Sequence, residues 1–194
     1  MIRGGFRLLS LFVFVALLGS IFPPAVAAQF PSQDQGQGGA PAPGGGFPGQ
    51  DTGGRGGFYQ GQTYGWSLAW GPEWTLVEEG VQEGLEAITL SNGASDVTLG
   101  GFTIFDSPQD VVVATADTLG AGQWEFLEVI FDEPDRAAAY FDAPQEGRGY
   151  FIDIIVIGES TAVFVIWGFP AAQYESEWES FLALTDGFEW TVTT

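Results

Sequence analysis

"YGWSLAWGPEW", residues 64–74, sets three tryptophans and a tyrosine into eleven positions of a chain that has no cysteine and no histidine. Tyr64, Trp66, Leu68 and Trp70 alternate with Gly65, Ser67 and Ala69, the period of a strand with one apolar face. Gly71-Pro72 then makes a turn, and Trp74 to Glu78 begins a second strand. Fully burying one large apolar side chain contributes roughly 1.5–3 kcal/mol, so four on one face are expected to be core beneath a helix. Only Trp70 or Trp74, nearest the strand end, would leave an indole available to a ligand.

Downstream the pattern stays β-rich. "LEAITLS" (85–91) and "VTLGGFTIF" (97–105) flank Asn92-Gly93, a tight-turn dipeptide, and the glycines at 100–101 suggest a bulge or a close backbone approach. Ser107-Pro108-Gln109-Asp110 has the form of a capping box and opens a helix through "VVVATADTL", ending at Gly120. "EFLEVIFDEP" (125–134) and "RAAAYFDAP" (136–144) each close on Phe-Asp-x-Pro, where proline withdraws an N–H from the ladder. "GYFIDIIVIGE" (149–159) and "TAVFVIWGFP" (161–170) are the most apolar stretch after the N-terminus and read as central strands buried on both faces. Ala171 to Thr185 closes the domain as an amphipathic helix, with Tyr174, Trp178, Phe181, Leu182 and Thr185 on one stripe. Glu175, Glu177 and Glu179 fall on its solvent side, and Gly187 follows its end.

Upstream the chain changes character. Arg3 and Arg7 precede an apolar run from Leu8 to Phe22, broken by Pro23-Pro24 and followed by Ala25-Val26-Ala27. That is the layout of a secretory signal peptide, assigned to residues 1–28, and the run is shorter than the ~20 residues of a membrane span. The expected product is secreted or held at the cell surface, with no stable span once the leader is cleaved. Residues 29–62 are rich in Gly, Pro and Gln, with a weak repeat in "FPSQDQG" (30–36) and "FPGQDTG" (47–53), and read as a disordered linker. Residues 63–194 form the single globular domain.

Composition removes whole classes of chemistry. Without cysteine, histidine or lysine there is no thiolate, no Ser-His-Asp triad, no Schiff base and no phosphate-loop lysine. Residues 63–194 hold 23 acidic side chains against Arg136 and Arg148 alone, a balance of −21 that repels nucleic acid and anionic lipid. Carboxylate pairs at Glu78-Glu79, Asp132-Glu133 and Glu177-Glu179 are of the type a secreted carboxylate-dependent hydrolase would use, and that reading is the alternative. Asp132, Glu133 and Asp135 have oxygen ligands for Ca²⁺, but "DEPD" lacks the glycine and spacing of an EF-hand, so it reads as a solvated turn. No residue is assigned as catalytic, cofactor-binding or metal-binding.

The order of four strands, a helix, four strands and a long amphipathic C-terminal helix, opened by Tyr64, Gly65, Trp66, Leu68, Pro72 and Trp74, resembles the PsbP-like superfamily. "FLALTDGFEW" (181–190) resembles the way members of that group end. The resemblance covers nearly all of 63–194 and implies an α+β fold, an antiparallel β-sheet sandwiched by helices. It also implies a non-enzymatic role: stabilising a complex, chaperoning assembly, or binding a protein partner. The lysines and histidines that such proteins use are absent here, so the photosynthetic role of the extrinsic photosystem II subunit is not carried over. The expected function is an exported, non-catalytic accessory domain working through protein–protein contact.

Overall fold

The alternation around Trp66 gives a strand, Trp66–Trp70 (β2), in a computed structural model that describes residues 56–82 and 84–191. Its neighbours in a three-stranded sheet are Gly57–Gln60 (β1) and Phe188–Trp190 (β10), both antiparallel to it. This corrects the boundary read from sequence, since β1 lies inside the stretch assigned to the linker, 29–62. Its glycines serve close packing against indoles: a Cβ at Gly57 would enter the Trp70 ring, and one at Gly61 would crowd the Trp66 ring. Between them Tyr59 stacks on Trp66 with ring centroids 5.1 Å apart. The signal peptide, 1–28, and the linker up to residue 55 lie outside the described residues.

The larger sheet has seven strands. In chain order they are Thr75–Gln82 (β3), Leu85–Ser91 (β4), Asp96–Thr103 (β5), Glu125–Glu133 (β6), Arg136–Ala143 (β7), Arg148–Gly158 (β8) and Thr161–Pro170 (β9). In space they run β3-β4-β5-β9-β8-β7-β6, every neighbouring pair antiparallel. The two most apolar segments, β8 and β9, occupy the interior as their composition requires, and β6 and β3 are the edges. Gly100 and Gly101 mark a close approach and not a bulge, because the β4–β5 and β5–β9 registers pass through them unbroken. A Cβ at Gly101 would collide with Tyr64, which crosses from the small sheet.

Each face of the large sheet has its own cover. Pro108–Leu119 (α1) is capped by Ser107, whose Oγ accepts from the Asp110 N–H at 3.2 Å and donates to its carboxylate at 2.7 Å. Val111, Val112 and Ala116 then pack onto Leu85, Phe102, Ile152, Ile154 and Phe164. That burial outweighs the β preference of three consecutive valines. On the opposite face Tyr174–Thr185 (α2), preceded by a 3-10 turn at Ala171–Gln173, joins the small sheet over Ile88, Leu99, Val163 and Trp167.

The helix α2 has 12 residues, three turns, and is not the long helix expected. Its buried positions are Phe181 and Leu184; Leu182, placed on the stripe by the sequence reading, is exposed. Its nearest aromatic partner on the sheet is Trp167 of the central strand, which stacks on Phe181 at 4.4 Å and 8° and meets Trp178 at 5.8 Å, while Phe151 meets Phe181 and Phe169 meets Tyr174. Trp66 belongs to the same core but meets Tyr59 and Phe188, because β2 lies in the neighbouring sheet.

Candidate interaction surface

The aromatics of the opening stretch are structural. Trp66 and Leu68 have no exposed surface and Trp74 is buried; Trp70 and Tyr64 are half-buried. Neither Trp70 nor Trp74 therefore offers the exposed indole allowed for by its place near a strand end.

The carboxylates singled out by sequence have separate tasks. Glu79 on β3 accepts the Tyr59 hydroxyl at 3.0 Å; burial, reinforced by that carboxylate, pushes the phenol above its usual range. Glu177 is not on a solvent face, since its Oε2 accepts from Asn92 Nδ2 at 2.8 Å and from Ser95 Oγ at 2.7 Å. Glu179 is exposed on α2, and Glu78 is half-buried on β3. Asp132 accepts from Gln109 Nε2 at 3.0 Å, which also donates to the Glu133 carbonyl at 2.7 Å, so this pair ties β6 to the start of α1. The Asp135 carbonyl accepts the Val156 N–H at 2.8 Å. Among the described residues no group of three or more acidic side chains is arranged to hold a metal ion.

Two acids that sequence reasoning passed over are buried. Glu86 is 2% exposed and accepts the backbone N–H groups of Gln62 and Thr63 at 2.8 and 3.1 Å, which anchors the β1–β2 hairpin to the large sheet. Asp153 on β8 takes a two-pronged contact from Arg136, at 3.1 Å from Nε and 2.7 Å from an outer nitrogen. Burial raises the Asp153 carboxyl above its usual range, and the guanidinium opposes that shift. The same guanidinium covers the Phe131 ring at 3.6 Å.

Phe131 and Gln109 thus pin the C-terminal half of β6, while the middle of the strand stays open. Phe126, Leu127, Val129 and Ile130 are all exposed, the first three by more than half. Among the described residues strand β6 pairs only with β7, and its register slips between Phe126 and Glu128 and again between Val129 and Phe131. These bulges accommodate the sequence, because apolar doublets repeating every three residues cannot alternate faces along a regular strand. The doublets in "EFLEVIF" were the available sequence clue to an unburied apolar strand. Glu125, Glu128, Asp132 and Glu133 complete it, so this edge combines the largest run of exposed apolar side chains in one described strand with four carboxylates.

No protein-family model matches the sequence, and no curated protein matches it. Among solved structures the chain is similar to cyanobacterial PsbP from Synechocystis sp. PCC 6803, with a TM-score of 0.51 over 78% of this chain and 98% of that one. The sequences are 10% identical, so what is shared is the fold. The antiparallel sheets and two helices described above are therefore a PsbP-like α+β arrangement, reached with a very different set of side chains.

Proposed function

We propose that this chain is an exported, non-catalytic accessory protein whose PsbP-like domain works by contact with another protein. The observation that carries the reading is the β6 edge, where four apolar side chains stand in solvent on a strand paired, among the described residues, on one side only. Contiguous exposed apolar surface of this kind marks association sites more often than it marks idle surface. The domain that presents it belongs outside the cytoplasm on this reading, because residues 1–28 have the layout of a cleaved leader and residues 29–55 that of a tether. No described helix is long and apolar enough to cross a membrane, in keeping with attachment through a partner.

The test uses the full-length chain expressed with its leader. Intact mass of the released protein should show the first 27 or 28 residues removed. Crosslinking in the native envelope should then give a discrete protein adduct, lost in Phe126→Ser/Val129→Ser. An adduct unaffected by that pair, or a protein retaining Met1, would contradict the proposal.

A further inference from the structure

The register of β6 places its exposed side chains more closely than strand labels suggest. Phe126 and Val129 stand opposite Phe141 and Ala139 of β7, both part of the core beneath α1, so both lie on the α1 face. They face the same way although three residues apart, because the bulge between them absorbs one. Measured on β7 their partners are two residues apart, a spacing of about 7 Å.

Helix α1 packs on β7 and β8, and its cover stops one strand short of the edge. Gln109 of α1 reaches Asp132 and Glu133 of β6, which fixes the side of the helix that looks toward the open strand. Val113, one helical turn further on, lies on that side and is 58% exposed. The result is an unroofed strip with Phe126 and Val129 as floor and Val113 as one wall. Its width suits a second helix beside α1, since packed helices lie 8–10 Å apart and two strand spacings span about 10 Å. A spacing near 7 Å between floor residues fits the i and i+4 positions of a helix, about 6 Å apart along its axis.

Charge selects the kind of helix. Asp110 and Asp117 on α1 and Asp132 on the same sheet face flank the strip, whereas Glu125, Glu128 and Glu133, opposite Asp142, Tyr140 and Arg136 of β7, lie on the other face of the edge strand. The two arginines of the described residues are engaged elsewhere, Arg136 with Asp153 and Arg148 with Asp96. A second copy of this chain would bring the same carboxylates to the contact, and an added strand would meet an edge interrupted twice by bulges.

We propose that the strip formed by Val113, Phe126 and Val129 between α1 and the β6 edge receives a cationic amphipathic helix of a partner protein, completing the helical layer of that face. The proposal rests on the protein-contact reading above and names the chemistry of the partner. Apolar residues at i, i+4 and i+7 of that helix would meet the strip, and its Lys and Arg side chains the flanking carboxylates.

The experiment titrates the isotope-labelled full mature chain with a synthetic amidated helix of leucines at i, i+4 and i+7 among lysines, and with its leucine–glutamate counterpart. The lysine helix should shift the amide resonances of Val113, Asp117 and residues 126–132, and the glutamate helix should not. Phe126→Ser/Val129→Ser should weaken binding at least tenfold, whereas Val77→Ser/Val81→Ser, exposed residues of the opposite edge, should leave it unchanged. Equal weakening by both pairs, or shifts scattered over all acidic surface, would overturn the proposal by showing attraction to charge alone. So would a dimer in sedimentation that the first pair abolishes, or loss of the strip's exposure to residues 29–55 of the same chain. If the native adduct disappears in Phe126→Ser/Val129→Ser but the lysine helix does not bind, the contact surface stands and the cationic helix is rejected. If neither responds, both readings fall.

Discussion

Asn92 donates its amide Nδ2 to Glu177 Oε2 over 2.8 Å, joining the β4–β5 turn to α2 across 85 residues of chain. The same side chain accepts the N–H groups of Ala94 and Ser95 through Oδ1, at 2.9 and 2.7 Å. One asparagine therefore both shapes the turn and holds the helix, which explains why Asn rather than Asp precedes Gly93 here.

Asn92→Asp keeps the acceptor of the turn and replaces the donor with an oxygen facing a carboxylate. A loss of about 1–3 kcal/mol is expected, the cost of leaving part-buried polar groups unmatched. Adding Glu177→Gln returns a donor to the pair and should restore much of it. Thermal melting at pH 7 of the two single variants and the double variant measures this, and equal midpoints throughout would refute it.

Trp167→Ala should cost about 3–5 kcal/mol, because it empties the centre of the large sheet beneath α2. Its coupling to Phe181→Ala should be 0.5–3 kcal/mol, as for residues in direct contact. Trp66→Ala should also be costly, yet its coupling to Trp178→Ala should be smaller than that of Trp167 with Phe181. Denaturant titration of both double-mutant cycles decides which tryptophan holds the helix.

A chain beginning at residue 56 should melt with the full mature protein, whereas one beginning at residue 63 should not. The shorter chain loses the β1–β2 ladder, the stacking of Tyr59 on Trp66 and the Gln62 N–H that Glu86 accepts. Stranding part of a buried carboxylate alone costs roughly 1–3 kcal/mol, so the midpoint should fall by several degrees. Identical melting curves would place β1 outside the cooperative unit.

Stability should increase from pH 8 to pH 5. The folded state holds the Asp153 proton more tightly than the unfolded chain, so its contribution is greatest at low pH. It is lost as pH rises from the ordinary carboxylate range near 4 through the folded value. Self-repulsion of a domain carrying −21 acts in the same direction. Melting across that range should slope downward with pH, less steeply in Asp153→Asn. At fixed pH, raising NaCl from 0.1 to 1 M shortens the screening length from about 10 to about 3 Å and should raise the midpoint.

Much of this fold was legible because its strands are bounded by residues with fixed backbone preferences. Asn92-Gly93 separates β4 from β5, and Pro134 and Pro144 follow β6 and β7, so these strands fall within two residues of their expected limits. Strand β1 was hidden by its glycines, whose meaning depends on indole rings that arrive from β2. Strand β10 has three residues, too few for any period to show. That Trp167 and not Trp66 supports α2 follows from β9 being inserted beside β5, a topological fact that local patterns do not contain. The open strip on β6 was half legible: the doublets were visible, but where α1 stops was not.

Both ends of the described domain grip β2. Gly57 enters opposite Trp70 and Trp190 leaves opposite Trp66, so the two flanking strands run in the same direction and their free ends point opposite ways. A pull between the chain before residue 57 and the chain after residue 190 would drag β1 and β10 past β2 along their lengths. Their hydrogen bonds would be loaded together and not peeled one at a time. The small sheet is thus a clasp in shear geometry, in which the strands at the two ends of the described domain resist separation together.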